Sequence, residues 1–163
     1  MTSKITPCLW FDHKAEEAAN YYVGIFKNSK ITNITRYGEA GFEQHGRPAG
    51  SVMIVAFELN GHAFTALNGG PHFHFSPAVS FQIDCETQEE VDYYWDKLTE
   101  GGPVEAQQCG WVEDKFGLSW QIVPSIVKEL FADPEDPKSQ RAFNAMMGMK
   151  KLDIAGLTKA YEG

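Results

Sequence analysis

Residues 69–76, GGPHFHFS, place His72 and His74 two positions apart behind a glycine pair and a proline. Imidazoles at that spacing leave one side of an extended segment together, with Cβ atoms about 7 Å apart. A divalent cation needs three or so convergent donors before it can activate water or polarise an oxygen. The pair makes a metal site only if a third donor arrives from elsewhere; otherwise both histidines serve as neutral donors and acceptors on a cavity rim or against a second subunit. The three thiols, Cys8, Cys85 and Cys109, are odd in number, widely spaced and free of any CxxC. That usage fits buried cysteines in a reducing compartment better than a disulfide framework or a zinc knuckle. Cys8 and Cys109 could approach each other in a sheet, but no histidine is placed to act as base for either. Asp84 and Glu86 read as the border of a helix, and His45 as a solvated histidine in a loop.

These residues must be carried by regular elements, and the elements repeat. Residues 5–11 are short and apolar, as a strand requires, and lead into a segment where Ala15, Ala18, Ala19, Tyr22 and Phe26 recur at helical spacing. Asp12 is the expected N-cap. Two β-rich runs then flank Asn60-Gly61, a strong hairpin signal. The order strand, helix, strand, strand, strand returns in the second half. Residues 78–85 form its first strand, and Thr87 with Glu90 three places on makes a capping box for a helix through Leu98. Residues 103–111 and the two runs after them supply three further strands. Glu17, Tyr21, Tyr22 and Phe26 match Glu89, Tyr93, Tyr94 and Leu98, all displaced by 72 positions, while the closing hairpins match at a displacement of 56. The extra length falls in the first half, where residues 39–50 read as a long polar loop.

A βαβββ unit leaves one apolar sheet face that it cannot bury alone, so two copies are expected to share a core. The boundaries read as a first module over residues 1–70, a second over 71–124 and a helical tail over 125–163, within one domain. In the tail, Asp136-Pro137 predicts a cap followed by a proline in the first turn, and Asp153 predicts a last short helix. Met146, Met147 and Met149 read as core filler.

Composition removes several classes of function. The 163 residues are 43% apolar, enough for a globular core. The net charge of -8 is scattered without a basic cluster, so a phosphate backbone would be repelled and no nucleic-acid partner is expected. No apolar run approaches the roughly 18 residues of a membrane span, and MTSKITPCLW lacks an export signal, so the expected address is cytoplasmic, away from a membrane.

With both repeats placed, the chain resembles the vicinal oxygen chelate superfamily of glyoxalases, bleomycin and fosfomycin resistance proteins and extradiol dioxygenases. It is most similar to the PhnB-like group often labelled 3-demethylubiquinone-9 3-methyltransferase. The residues that carry the resemblance are ITPCLWFDHKAEEAANYYVGIF, NGGPHFHFSPAVSFQIDC, WVEDKFGLSWQIVP and GMKKLDIAGL. The resemblance implies an α+β fold of paired βαβββ modules in a glyoxalase/bleomycin-resistance-like half-open sheet around a cavity, assembled as a homodimer. It also implies that metal-dependent relatives chelate their ion from positions corresponding to Ile5, Thr65, Ala78 and Gln121. Of these only Gln121 offers a good ligand oxygen, so no metal and no cofactor is expected here. What remains is a small-molecule site with Thr65 and Gln121 as hydrogen-bonding groups, Leu9, Leu67 and Val123 as apolar wall and Trp111 near its mouth, together with Glu113 and Asp114. The alternative is a glyoxalase- or dioxygenase-like enzyme on a small polar metabolite, using unusual metal ligands or acid/base chemistry; catalytic residues are not assigned. Methyl transfer from a sulfonium donor is not expected, because no glycine-rich turn follows the first strand.

Overall fold

The computed structural model describes residues 3–163. It divides into two compact units, one running to His74 and the other from Phe75 to Gly163. The fold is α+β, built on βαβββ modules with helices at the C-terminal end.

The first unit contains β1 (Cys8–Phe11), α1 (Ala15–Ile25), β2 (Lys30–Arg36), the short α2 (Phe42–His45), β3 (Val52–Leu59) and β4 (His62–Asn68). Its sheet has the order β1-β4-β3-β2, with β1 parallel to β4 and the other pairs antiparallel. Asn60 and Gly61 both take positive φ, 48° and 80°, the conformation of the tight hairpin turn that their types predict. Helix α1 lies on the sheet through Ala15, Ala18, Ala19, Tyr22 and Ile25, all buried. The alanines let the helix approach closely, and Tyr22 stacks on Phe57 at 6.4 Å between centroids.

Three local expectations change. The first strand begins at Cys8 rather than at residue 5, and Ile5 is 83% exposed ahead of it. Asp12 is not the cap of α1: the N-cap position falls on Lys14, whose side chain makes no capping bond. The carboxylate of Asp12 turns instead to Arg47, 3.0 Å away. The helix start is served from the end of β4, where Asn68 Oδ1 accepts from Ala15 N at 2.8 Å. The long loop is also more ordered than its polarity suggested, since α2 closes on Gly41 and Gly46, both left-handed.

The second unit contains β5 (Ser80–Cys85), α3 (Gln88–Thr99), β6 (Trp111–Glu113), β7 (Ser119–Pro124), α4 (Val127–Leu130), α5 (Pro137–Met147) and α6 (Ile154–Glu162). The sheet order is β5-β7-β6, and β5 runs parallel to β7 as β1 does to β4. The Thr87 half of the capping box forms, with Thr87 Oγ1 accepting from Glu90 N at 3.2 Å, while Glu90 Oε2 accepts at 2.7 Å from Glu86 N, one residue before the cap. Val91, Trp95 and Leu98 form the buried stripe of α3.

Residues 103–111 do not make the strand their place in the repeat predicts. They hold a 3-10 turn at Val104–Ala106 and one isolated bridge between Gln108 and Trp111. Cys109 and Gly110 adopt φ of 50° and 83°, which breaks an extended run. Their N–H groups bond to Met149 O and Lys150 O at 2.9 and 2.8 Å, so the tail takes the place of a neighbouring strand. The tail has its own core of Leu130, Ala142, Leu152 and Leu157, with Met146 and Met149 packed against it. Asp136 caps α5 by accepting from Lys138 N at 2.9 Å. Asp153 makes no side-chain cap; Gln88 Oε1 accepts from Ile154 N at 2.9 Å instead.

Candidate functional site

Each sheet has one face covered by its helix and one left open, and pairing register decides which side chains reach the open one. In the first unit Cys8 pairs with Thr65, Trp10 with Leu67, Ala56 with Thr65 and Ile54 with Leu67. Directly paired residues share a face, so Cys8, Trp10, Ile54, Ala56, Thr65 and Leu67 stand together on the side away from α1. Leu9 does not join them. It pairs with Ala66, is 5% exposed and belongs to the core beneath α1. The open-face position expected of Leu9 is taken by its neighbour Trp10, because adjacent residues of a strand point to opposite faces.

Trp10 is held firmly. Its Nε1 donates to Gly70 O at 2.9 Å, and its ring meets Phe73 edge-on at 4.9 Å. A side chain at Gly69 would fall 2.2 Å from the indole, so glycine there makes room for the ring. Thr65 Oγ1 reaches Pro7 O only at 3.5 Å, which leaves its hydroxyl available for other partners.

In the second unit Gln121 pairs with Gln82 on β5 and with Trp111 on β6, while Val123 pairs with Asp84. Gln121, Val123 and Trp111, singled out from the sequence, therefore share one open face with Gln82 and Ser80. The Gln121 carboxamide is held at both ends. Its Nε2 donates to Ser80 Oγ at 2.8 Å, and its Oε1 accepts from Gln82 Nε2 at 3.4 Å. Glu113 lies on the same face, opposite Ser119. Asp114 is different in kind. It is 1% exposed and accepts from Phe116 N, Leu118 N and Trp120 Nε1 at 2.8, 3.1 and 2.8 Å, so it organises the turn before β7 rather than a cavity mouth.

His72 and His74 lie in the segment between β4 and β5, which contains turns and no strand, and both are exposed. The alternating faces expected of that segment do not arise. His45 is half-buried and bonded: its Nδ1 accepts from Arg47 N at 2.9 Å, and its ring lies 4.5 Å from that of Tyr37.

Ile5 and Ala78 lie outside the strands, and the residues that face Thr65 and Gln121 are Cys8 and Gln82. At these positions the first sheet offers one thiol and one hydroxyl and the second two carboxamides, with no imidazole or carboxylate in either pair, and Gln121 Oε1 is already engaged. Neither pair fits a catalytic divalent cation. Among the described residues no three His, Cys, Asp or Glu side chains gather as metal ligands elsewhere. Cys85 is fully buried on the helix face of β5, and burial pushes its thiol up to about 12. Cys8, expected as a buried thiol, is exposed on the open face, and Trp10 and Gln82 join their sheets' open faces; the signal that finds them is the phase of each parallel strand pair.

A family model described as 3-demethylubiquinone-9 3-methyltransferase matches residues 3–123, ending just before α4. Among solved structures the chain is similar to a PhnB protein from Bacillus cereus, with 37% identity over 75% of this chain and 99% of that one, and a TM-score of 0.65. A protein from Pseudomonas aeruginosa is 19% identical over 76% of this chain and 98% of its own, with a TM-score of 0.56, a likeness of fold. Among curated proteins none matches. Among the described residues no helix is long and apolar enough to cross a membrane.

Proposed function

The chain belongs to the 3-demethylubiquinone-9 3-methyltransferase family, the PhnB-like group of the vicinal oxygen chelate superfamily, and on that premise we propose that it binds a small polar organic ligand on its open sheet faces. The observation that carries this reading is the Gln121 carboxamide, fixed between Ser80 and Gln82 beside Trp111. A recognition group locked before the ligand arrives costs little ordering when it binds. Gln82 and Gln121 offer a ligand both a donor and an acceptor, and Trp111 and Val123 supply apolar surface beside them. Thr65, Leu67 and Trp10 give the first sheet a similar mixture. The best ligand has a neutral donor–acceptor group, such as an amide or a carboxylic acid analogue, next to an apolar body.

The methyl transfer named in the family's description is not part of this reading. Strand β1 enters α1 through Asp12, His13 and Lys14, a turn without the glycines that bring a nucleotide donor close to backbone. The proposed assembly is a homodimer in the cytoplasm, with His72 and His74 as polar contacts to the ligand rim or to the second copy.

Thermal-shift screening against small amides, with α-keto and α-hydroxy acids as their anionic counterparts, tests the site, with Gln121→Ala and Trp111→Ala alongside. Compounds that raise Tm in the parent and not in the two variants support the reading. Equal shifts in all three proteins sink it. Light scattering on the eluting peak reports the dimer, and incubation of each hit with the protein shows whether binding is followed by turnover.

A further inference from the structure

The C-terminal end of α5 brings sulfur and carbonyl groups to Cys109. Cys109 Sγ lies 4.0 Å from Met147 Sδ and 3.4 Å from the Met146 carbonyl. Gln108 Nε2 donates to the same sulfur at 3.4 Å and to Met147 O at 3.0 Å. The backbone at Cys109 is left-handed, with φ of 50°. A side chain other than glycine or asparagine is disfavoured there, and such residues persist where the surroundings hold a particular side chain in place. The surroundings here are the bonds from Cys109 N and Gly110 N to the tail.

We propose that Cys109 and Met147 form a binding site for a soft monovalent cation, Cu(I) or Ag(I). A thiolate with a thioether is the donor pair that selects such ions over hard divalent ones. With metal–sulfur bonds of about 2.3 Å, the 4.0 Å between the sulfurs subtends an angle of about 120°, that of a three-coordinate ion. The third position is open to a solvent or solute ligand. The end of α5 carries the negative pole of its dipole, which favours a cation there. Binding exchanges one bond for another without redox change: the Cys109 thiol gives its proton to solvent, a metal–sulfur bond forms, and the Gln108 N–H continues to donate to the thiolate. Met147 is 50% exposed, so an ion has a path to the site. Met147 also lies beyond the residues matched by the family model, so the site does not follow from family membership.

Anaerobic titration of Cu(I) against the chromophoric competitor bicinchoninate tests the proposal. The Cys8→Ser protein is the parent, which removes the exposed thiol outside the site. The expected result is one Cu(I) per chain, with affinity lowered at least about a hundredfold in Cys109→Ser and about tenfold in Met147→Leu. X-ray absorption on the loaded parent should show two sulfur neighbours near 2.3 Å, falling to one in Met147→Leu. Unchanged affinity in either variant, or a parent spectrum with a single sulfur, overturns the proposal. If circular dichroism shows that Cys109→Ser does not fold, Met147→Leu and its sulfur count decide the question.

Discussion

Asn68 caps a helix that begins 53 residues before it: its Oδ1 accepts from Ala15 N at 2.8 Å while its Nδ2 donates to Val52 O at 3.1 Å. One carboxamide thus ties the end of β4 to the start of α1 and to the start of β3. The Asn68 carbonyl also accepts from Tyr37 Oη at 2.6 Å, which joins the end of β2 to the same point. Asn68→Ala leaves a buried N–H of α1 without its acceptor and should cost about 1–3 kcal/mol in urea unfolding. Asn68→Asp keeps the acceptor for Ala15 N but sets an oxygen against Val52 O, so its urea midpoint should fall as well; parent-like stability in Asn68→Asp would show that the bond to Val52 contributes little.

Gly69 is required by the indole above it. Its missing Cβ would lie 2.2 Å from Trp10, whose ring is already fixed by Gly70 O and Phe73. Gly69→Ala should therefore destabilise by about 1–3 kcal/mol, as overpacking does. A Gly69→Ala/Trp10→Phe double variant should recover part of the loss, which a chemical-denaturation cycle measures.

Asp114 carries the turn between β6 and β7 by accepting three hydrogen bonds while fully buried. Asp114→Asn replaces one acceptor oxygen with a donor facing other donors and is expected to lower stability by about 2–4 kcal/mol. Amide exchange at Phe116 and Leu118 should quicken in the variant. Unchanged exchange there would mean that the turn is held by other contacts.

Cys85 should be inert to thiol reagents in the native protein and react only on unfolding, unlike exposed Cys8. Its thiol is pushed up by burial from 9.0 to about 12, helped by the nearby charges of Glu90 and Asp84. An acid with a raised folded value keeps its proton longer in the folded state than in the unfolded chain. Cys85 therefore contributes no slope below pH 9 and lowers stability as pH rises from 9 towards about 12. Urea midpoints of the parent and of Cys85→Ala over that range should diverge, with the steeper fall in the parent.

Gln82 tests whether orientation of Gln121 matters. Gln82→Leu removes the donor to Gln121 Oε1 from an exposed position, so the urea midpoint should stay within about 0.5 kcal/mol of the parent. Affinity for any ligand found by screening should fall about five- to tenfold. Unchanged affinity would place Gln82 outside the site.

Local signals in the sequence were read well where the physics is local. Asn60-Gly61 makes its turn because two adjacent residues must take positive φ, and Thr87 with Glu90 caps α3 because both partners sit within one turn. Asp136-Pro137 opens α5 for the same reason. The repeat was legible because apolar period and element order survive in both halves. Of the candidate residues, Gln121, Val123 and Trp111 share a face, while Leu9 points to the opposite side of its strand, and register adds Cys8, Trp10 and Gln82 to the open faces.

The sequence by itself determined most of the elements, their order and the family, since these rest on composition, periodicity and contiguous motifs; the strand expected over residues 103–111 is the exception. Tertiary structure alone decided the faces and partners. A one-residue shift in the pairing of β1 with β4 would exchange Leu9 for Trp10 on the open face, and the bonding needs of Cys109 and Gly110 are met by residues 149 and 150, which no local pattern brings near them. Asn68 and Gln88 likewise cap helices that lie 53 and 66 positions away in the chain. A buried N–H must find an acceptor, but only the folded chain decides which residue provides it.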